Sequence, residues 1–361
     1  MSSPTPTPDA FSDAGRLAGS TVDVVVVGGG AAGLNGALML ARSRRSVVVV
    51  DGGNPRNAPA EAVHGLFAHD GTPPAELLRR GRAEVRDYGG IVVRDEVSAV
   101  RPAPFSAEGD PRFDVVLAGG ARLRARRILV ATGLRDELPE IPGLVEHWGR
   151  GVVHCPYCHG WEVRDEPIAV LATGPASIHH VLLFRQLSDD IVYFTRGTDL
   201  DDDTRDRFAA RGVRVVETPV AAIESGSEGI TGVRLTDGTV VARRVVAVAT
   251  RMIARTDGVD GLGLTLVDHP GGMGRGFATG AAGTTSVPGV WVAGNATDLA
   301  AQVGASAAAG ALAGAHINAD LAVADTDAAL AASRVPPFSP SAEGVVSELV
   351  LGERRHGLEP V

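Results

Sequence analysis

Three features of the sequence predict an α/β chain in which one nucleotide-binding-like unit is inserted into another. A short apolar run at residues 21–27 (TVDVVVV) leads into the glycines GGGAAG, and a second run at 46–51 ends in an acid. A similar strand, turn and helix begins again at 167–174 (PIAVLATG). A late strand within 289–301 (GVWVAGNATDLAA) runs into a polar turn and an Ala-rich helix expected to reach about Ile317. That order implies two Rossmann-like units of the FAD/NAD(P) type, the second interrupting the first.

The first unit is the most explicit. Residues 21–27 are β-branched and apolar, as a strand covered on both faces requires. Residues 34–43 have helical periodicity and strong helix formers, and 46–51 (SVVVVD) read as a second buried strand. Together they make a βαβ unit carrying G-x-G-x-x-G, with an acid about 20 residues further on. Gly28 permits the tight turn, Gly30 lets backbone approach a pyrophosphate, and Gly33 lets helix and strand pack closely, with Ala32 in the same loop. Free N–H groups at the helix start then face phosphates. Asp51 stands where it would accept from a ribose hydroxyl.

Residues 127–133 (RILVATG) read as another buried strand, ending in Ala131, Thr132 and Gly133. Pro139, Pro142 and Gly143 break the chain. The second unit continues through a helical stretch near 177–187 and strands at 191–195 and 245–250. The outer unit is expected at 22–138 and 255–330, and the inserted unit at 139–254. Residues 1–21 read as a flexible N-terminal tail. Residues 331–361 read as a C-terminal tail, in which Pro336, Pro337 and Pro340 precede a short helix.

Composition removes several function classes. A formal net charge of -9 argues against nucleic acid as a partner. No apolar run approaches membrane-spanning length, and the Pro/Ser/Thr-rich start lacks the apolar core of a signal peptide, so a cytoplasmic protein is expected. The chain has two cysteines, Cys155 and Cys158, in HCPYCHG. C-x-x-C-H is also the haem c attachment pattern, but that chemistry normally follows export. Zinc usually needs four ligands, and a second C-x-x-C is absent, so no metal site is expected. A buried, inert thiol pair stays open as an alternative to thiol–disulfide exchange. His159, directly after the second cysteine, is suited to moving protons near neutral pH, whereas His154 could equally be a histidine satisfied at a strand end. His64, His179 and His180 carry no motif.

The ordered set of GGGAAG with Asp51, Ala131-Thr132-Gly133, C-x-x-C, a second Rossmann-like unit and GVWVAGNATD resembles the low-molecular-weight thioredoxin reductase flavoproteins, over nearly everything from Val22 to about Asp320. The resemblance implies FAD in the outer unit, commonly a nicotinamide cofactor in the inner one, and a homodimer. By it, Gly28, Gly30, Gly33 and Asp51 hold the adenosine-diphosphate half of FAD. Gly294 and Asn295 stand where the family has Gly-Asp beside the flavin chain, and Gln302 and Val303 fall near the isoalloxazine. The second cysteine, Cys158, would face the flavin and Cys155 would exchange with substrate.

Two departures weigh against NADPH. His159 replaces the usual Asp after the second cysteine. The inner nucleotide motif is eroded: Ala172 replaces its first glycine, Ser177 its last, and Arg196 is followed by Asp199, Asp201, Asp202 and Asp203, which would repel a 2′-phosphate. Arg251 stands where a glycine is common and could fill space a nicotinamide needs. C-P-Y-C-H-G is also similar to the FAD-dependent dithiol oxidases that close disulfides in microbial natural products such as holomycin and gliotoxin. The resemblance therefore implies oxidation of a small-molecule dithiol, with oxygen as acceptor. An NAD(P)H-dependent reductase acting on thioredoxin or a small disulfide is the alternative on the same fold. A non-enzymatic flavin redox sensor is the alternative from another class.

Overall fold

The computed structural model describes residues 11–104, 110, 112–334 and 340–351. The outer unit starts with strand β1 (Thr21–Val27), helix α1 (Ala31–Arg42), β2 (Val47–Asp51), α2 (Pro74–Asp87), β3 (Ile91–Arg94), β4 (Val97–Ala103), β5 (Arg112–Leu117) and β6 (Arg122–Val130). Val24, Val25, Val26, Val48 and Val49 have no exposed surface, as expected of strands covered on both faces. β1 runs parallel to β2 and β6, placing Val27 beside both Val50 and Val130. The end of β1, where the glycine loop starts, therefore lies mid-sheet, the usual crevice for ligands in such sheets. β4 and β5 extend the sheet antiparallel beyond β6.

The chain leaves through β7 (Leu134–Glu137) and builds the inner unit from β8 (Val152–Val153), α3 (Pro156–His159), β9 (Ile168–Leu171), α4 (Ala176–Phe184), β10 (Ile191–Phe194), α5 (Asp202–Ala210), β11 (Arg214–Val216), the antiparallel set β12 (Val220–Gly226), β13 (Gly229–Leu235) and β14 (Val240–Ala242), and β15 (Val245–Val248). Its main sheet has the order β11-β10-β9-β15-β8 and is parallel throughout. The chain returns through β16 (Arg251–Ala254), which pairs antiparallel with β7, then forms β17 (Leu266–Asp268) and β18 (Gly274–Phe277). β19 (Val290–Val292) pairs with β6, so chain from beyond the inner unit completes the outer sheet.

Helix α6 (Val303–Ser333) follows, then α7 (Pro340–Leu351). α6 crosses α1 closely: a side chain on Gly310 would collide with the Ala32 carbonyl oxygen. It also runs well past the expected end near Ile317. Beyond Ile317 no glycine or proline interrupts it before Ser333, and Asp320 and Asp325 are held by Arg127 and by Arg45 and Arg126, the two Asp325 contacts at 2.6 Å. The expected N-terminal tail also differs. Residues 1–10 lie outside the described residues, but Ser12 N–H donates to Val92 O at 2.9 Å and Leu17 is buried in the outer core. Residues 11–20 are thus held by apolar burial and edge pairing. No helix among the described residues is long and apolar enough to cross a membrane.

Candidate active site

A cavity of about 1330 Å³ runs from the first glycine loop to the cysteine pair. Gly28, Gly30, Ala32 and Asp51 line one end, and Ala131, Thr132 and Gly133 one side. Asn295, Gln302 and Val303 line it near the start of α6, and Cys155, Cys158 and His159 close the other end. Gly33 and Gly294 do not line it. A side chain on Gly33 would strike the Gly28 carbonyl, and one on Gly294 would come within 2.7 Å of Ala32 Cβ, so both permit close packing behind the wall.

The loop end fits a dinucleotide pyrophosphate. Gly28 has φ +112°, which favours glycine. A Cβ on Gly30 would meet nothing within 4 Å and would point into open space, and Gly30 precedes α1 as its N-cap with no side-chain cap bond. Its first N–H groups are therefore available to an anion. Asp51 is buried, with Oδ1 accepting from Gly53 N–H at 2.8 Å and Oδ2 3.3 Å from Arg82 Nη1. Its carboxylate is anchored before any ribose arrives. Asn295 donates from Nδ2 to Asp298 O at 3.0 Å and Ala301 O at 2.8 Å, tying the loop ahead of α6. A carboxylate has no N–H to make these bonds, which accounts for Asn at this position.

The cysteines sit on one short turn. Cys155 precedes α3, Pro156 takes its first position with φ already suited to a helix, and Cys155 and Cys158 are joined as a disulfide with Cα atoms 5.2 Å apart. Both ring nitrogens of His159 are buried with no hydrogen-bond partner among the described residues. Burial holds its pKa below the usual histidine value, against the pull of Glu162. The imidazole is therefore neutral at neutral pH and has an unused lone pair.

His154 lies on the other side of the turn. Its Nδ1 is 3.1 Å from Val248 O and 3.2 Å from Thr250 N, so it donates to the first or accepts from the second according to tautomer. Thr250 Oγ1 donates to Asp136 at 2.6 Å, and Arg56 grips Asp136 with two bonds of 2.6 and 2.7 Å. Burial, and then the Arg56 charge, lower the His154 pKa. His180 is buried and donates from Nε2 to the His154 carbonyl, while its Nδ1 has no partner among the described residues. Burial, then His154, push its pKa down to about 4. Sequence reasoning left His180 without a role and missed Arg56, Asp136 and Thr250. They meet only through tertiary structure, and no local motif marks them.

The polar groups of the inner nucleotide loop bond within the chain, although Thr173, Gly174 and Ala176 line the cavity. Thr173 N–H donates to Ser177 Oγ at 2.9 Å, and Thr173 Oγ1 donates to Ala249 O at 2.6 Å. Arg196 donates to Ala172 O at 2.7 Å instead of reaching outward. Asp201 accepts from Thr204 N–H at 2.7 Å, and Asp202 and Asp203 occupy the first turn of α5, where carboxylates complement the helix dipole. Arg251 lines the cavity and pairs with Glu137 at 2.8 Å.

Comparison with known proteins agrees with this architecture. The pyridine nucleotide-disulphide oxidoreductase family matches residues 22–315. The chain is similar to thioredoxin reductase tcpT of Claviceps purpurea, 31% identical over 67% of this chain and 78% of that protein. It is 29% identical to thioredoxin reductase sirT of Leptosphaeria maculans, over 83% of this chain and 94% of that protein. Among solved structures, that of HlmI is 46% identical with a TM-score of 0.80, covering 87% of this chain and 96% of that one. An oxidoreductase from Agrobacterium tumefaciens is 33% identical with a TM-score of 0.77, covering 84% and 99%. With its glycine loop, cysteine turn and interrupted sheet, the chain belongs to the pyridine nucleotide-disulphide oxidoreductase family, as a thioredoxin reductase-like enzyme of two Rossmann-type units.

Proposed function

We propose that the protein is an FAD-dependent thiol–disulfide oxidoreductase that oxidises a small-molecule dithiol to a disulfide, with molecular oxygen as acceptor. The observation that carries this direction is the internal bonding of the inner loop's polar groups. Thr173 N–H, Arg196 and Arg251 are the groups that would meet a nicotinamide dinucleotide, and each is already bonded within the chain. With those groups engaged within the chain, the substrate dithiol is the electron source this reading favours.

Gly28, Gly30 and Asp51 would hold the adenosine-diphosphate half of FAD, with Asn295, Gln302 and Val303 nearer the flavin. The chemistry FAD supplies when bound is two-electron acceptance from the reduced cysteine pair and delivery to oxygen, with hydrogen peroxide as product. One substrate thiolate attacks Cys155 Sγ, breaking the Cys155–Cys158 bond and releasing the Cys158 thiolate. The second substrate thiolate attacks the mixed disulfide, closing the substrate disulfide and releasing the Cys155 thiolate. Two protons leave the substrate: His159, neutral and unpartnered, accepts one at a ring nitrogen, and the other passes to solvent.

A homodimer in the cytoplasm is part of the same proposal. Exposed apolar side chains at Val323 and Leu330 on α6, and at Val346 and Leu349 on α7, support the dimer. Stoichiometry tests the chemistry. Each dithiol closed should consume one oxygen and yield one hydrogen peroxide. Dithiol closure without peroxide would exclude oxygen as the direct acceptor. The names of relatives such as tcpT favour a second function, an NAD(P)H-dependent thioredoxin-disulfide reductase. It requires rapid flavin reduction by NADPH or NADH.

A further inference from the structure

Two arginines at the glycine-loop end of the cavity share an aromatic neighbour from outside the βαβ unit. Phe11, in the segment ahead of β1, has its ring centre 5.0 Å from the Arg82 guanidinium and 5.6 Å from that of Arg94. Both distances allow a cation–π contact. The segment is pinned beside these arginines. Ser12 N–H donates to Val92 O at 2.9 Å, and Ser12 pairs with Val93, the residue before Arg94. Asp13 accepts from Gly15 N–H at 2.9 Å, and Leu17 is buried in the outer core. Phe11 itself packs against the apolar core shared by α1 and the outer sheet.

Arg82 and Arg94 line the cavity and Phe11 does not. Arg82, on α2, is buried with Nη1 3.3 Å from Asp51 Oδ2. Arg94, at the end of β3, lies directly against Gly53: a Cβ there would fall 1.9 Å from the guanidinium carbon. Gly53 N–H in turn donates to Asp51 Oδ1 at 2.8 Å. Phe11, Arg82, Asp51, Gly53 and Arg94 thus form one connected cluster around the ribose-binding acid. A dinucleotide brings a doubly charged pyrophosphate to the end of the cavity that already holds the Asp51 carboxylate. Two guanidinium groups offset that repulsion, and the flat face of a guanidinium can also stack on adenine. An aromatic ring steadies a guanidinium without using up its N–H groups, which stay available for carboxylate, phosphate or base.

We propose that Phe11 is a positioning residue for FAD: its ring holds Arg82 at Asp51 and Arg94 over Gly53, so the segment ahead of β1 sets the affinity of the site for the adenosine half of the cofactor. This rests on FAD as the cofactor and not on the direction of electron flow. The test uses the full-length protein stripped of FAD, with rebinding followed by quenching of flavin fluorescence. Phe11→Leu keeps an apolar side chain against the core and removes the ring. It should raise the FAD dissociation constant about threefold to tenfold. Phe11→Tyr, which keeps a ring, should bind FAD as the native protein does. ADP, which carries only the adenosine and pyrophosphate, should weaken as a competitor by the same factor in Phe11→Leu. Arg94→Gln should also weaken both ligands, and adding Phe11→Leu to it should cost less than the two effects multiplied.

Native FAD affinity in Phe11→Leu would overturn the proposal. So would equal weakening in Phe11→Tyr, or weaker FAD binding with ADP unchanged, which would mark a general distortion of the site. Arg94 is exposed, so Arg94→Gln folds even where a Phe11 variant does not, and native ADP affinity in Arg94→Gln would equally overturn it. A native protein that takes up no FAD would sink the cofactor assignment itself, an outcome distinct from an FAD-binding protein indifferent to Phe11.

Discussion

At the scale of single residues, the account depends on three histidines around one disulfide. His159 has two buried, unpartnered ring nitrogens and a lowered pKa, so it stays a base at pH values where an ordinary histidine is half protonated. The acid limb of dithiol-driven flavin reduction should therefore lie below about pH 6.5. His159→Ala should slow that step roughly a hundredfold, with the loss shrinking at high pH where the substrate is already a thiolate. Stopped-flow rates across pH would show both effects, and an unchanged rate would reassign His159 to packing. His180 makes a prediction about stability. Its folded pKa of about 4 lies below the unfolded value of about 6.5, so the unfolded chain takes up the proton first as pH falls. The stability that neutral His180 allows is intact above about 6.5 and declines between there and about 4, by up to about 1.4 kcal/mol per pH unit. Denaturant midpoints of His180→Phe should fall less steeply over that window than those of the native protein.

At the scale of elements, the first βαβ unit was legible because its local chemistry and its tertiary role coincide. β1 occupies the expected residues, and Gly30 and Asp51 face the same cavity. Gly30→Glu tests the loop. Its Cβ meets nothing, so the variant should fold with native circular dichroism yet purify without FAD, since a carboxylate enters the anion cradle. Purification of a yellow Gly30→Glu protein would contradict the assignment. The inner loop was only half legible. Sequence showed missing glycines and added acids, but Asp201 caps α5 with Asp202 and Asp203 in its first turn, and the internal bonding of Thr173 and Arg196 left no local mark. Ser177→Ala should leave Thr173 N–H without its partner and cost about 1–2 kcal/mol in urea unfolding. The far half of α6 was missed because its hold on the sheet comes from ion pairs with Arg45, Arg126 and Arg127, distant in sequence. The chain from Arg56 through Asp136 and Thr250 to His154 was illegible for the same reason.

At the scale of the whole molecule, the two units share one cavity, and the account turns on which way electrons cross it. A reductase on this fold loads electrons at the inner nucleotide loop and delivers them through the cysteines. Here the polar groups of that loop bond within the chain, while Thr173 and Gly174 line the same cavity as the cysteine turn. The two cysteines then act as one relay. Cys155→Ser and Cys158→Ser should each abolish turnover with FAD still bound, and their combined loss should be no greater than either alone. A mixed disulfide with substrate should accumulate in Cys158→Ser and not in Cys155→Ser, as mass spectrometry would show. The opposite pattern would exchange the two roles.

The most direct measurement is anaerobic stopped-flow reduction of the bound flavin, with the dithiol, NADPH and NADH compared at equal concentration. The dithiol should bleach the flavin rapidly and stoichiometrically, and both nicotinamides should do so at least a hundredfold more slowly. Fast stoichiometric bleaching by either nicotinamide, with the dithiol inert, would contradict the oxidase and establish the reductase.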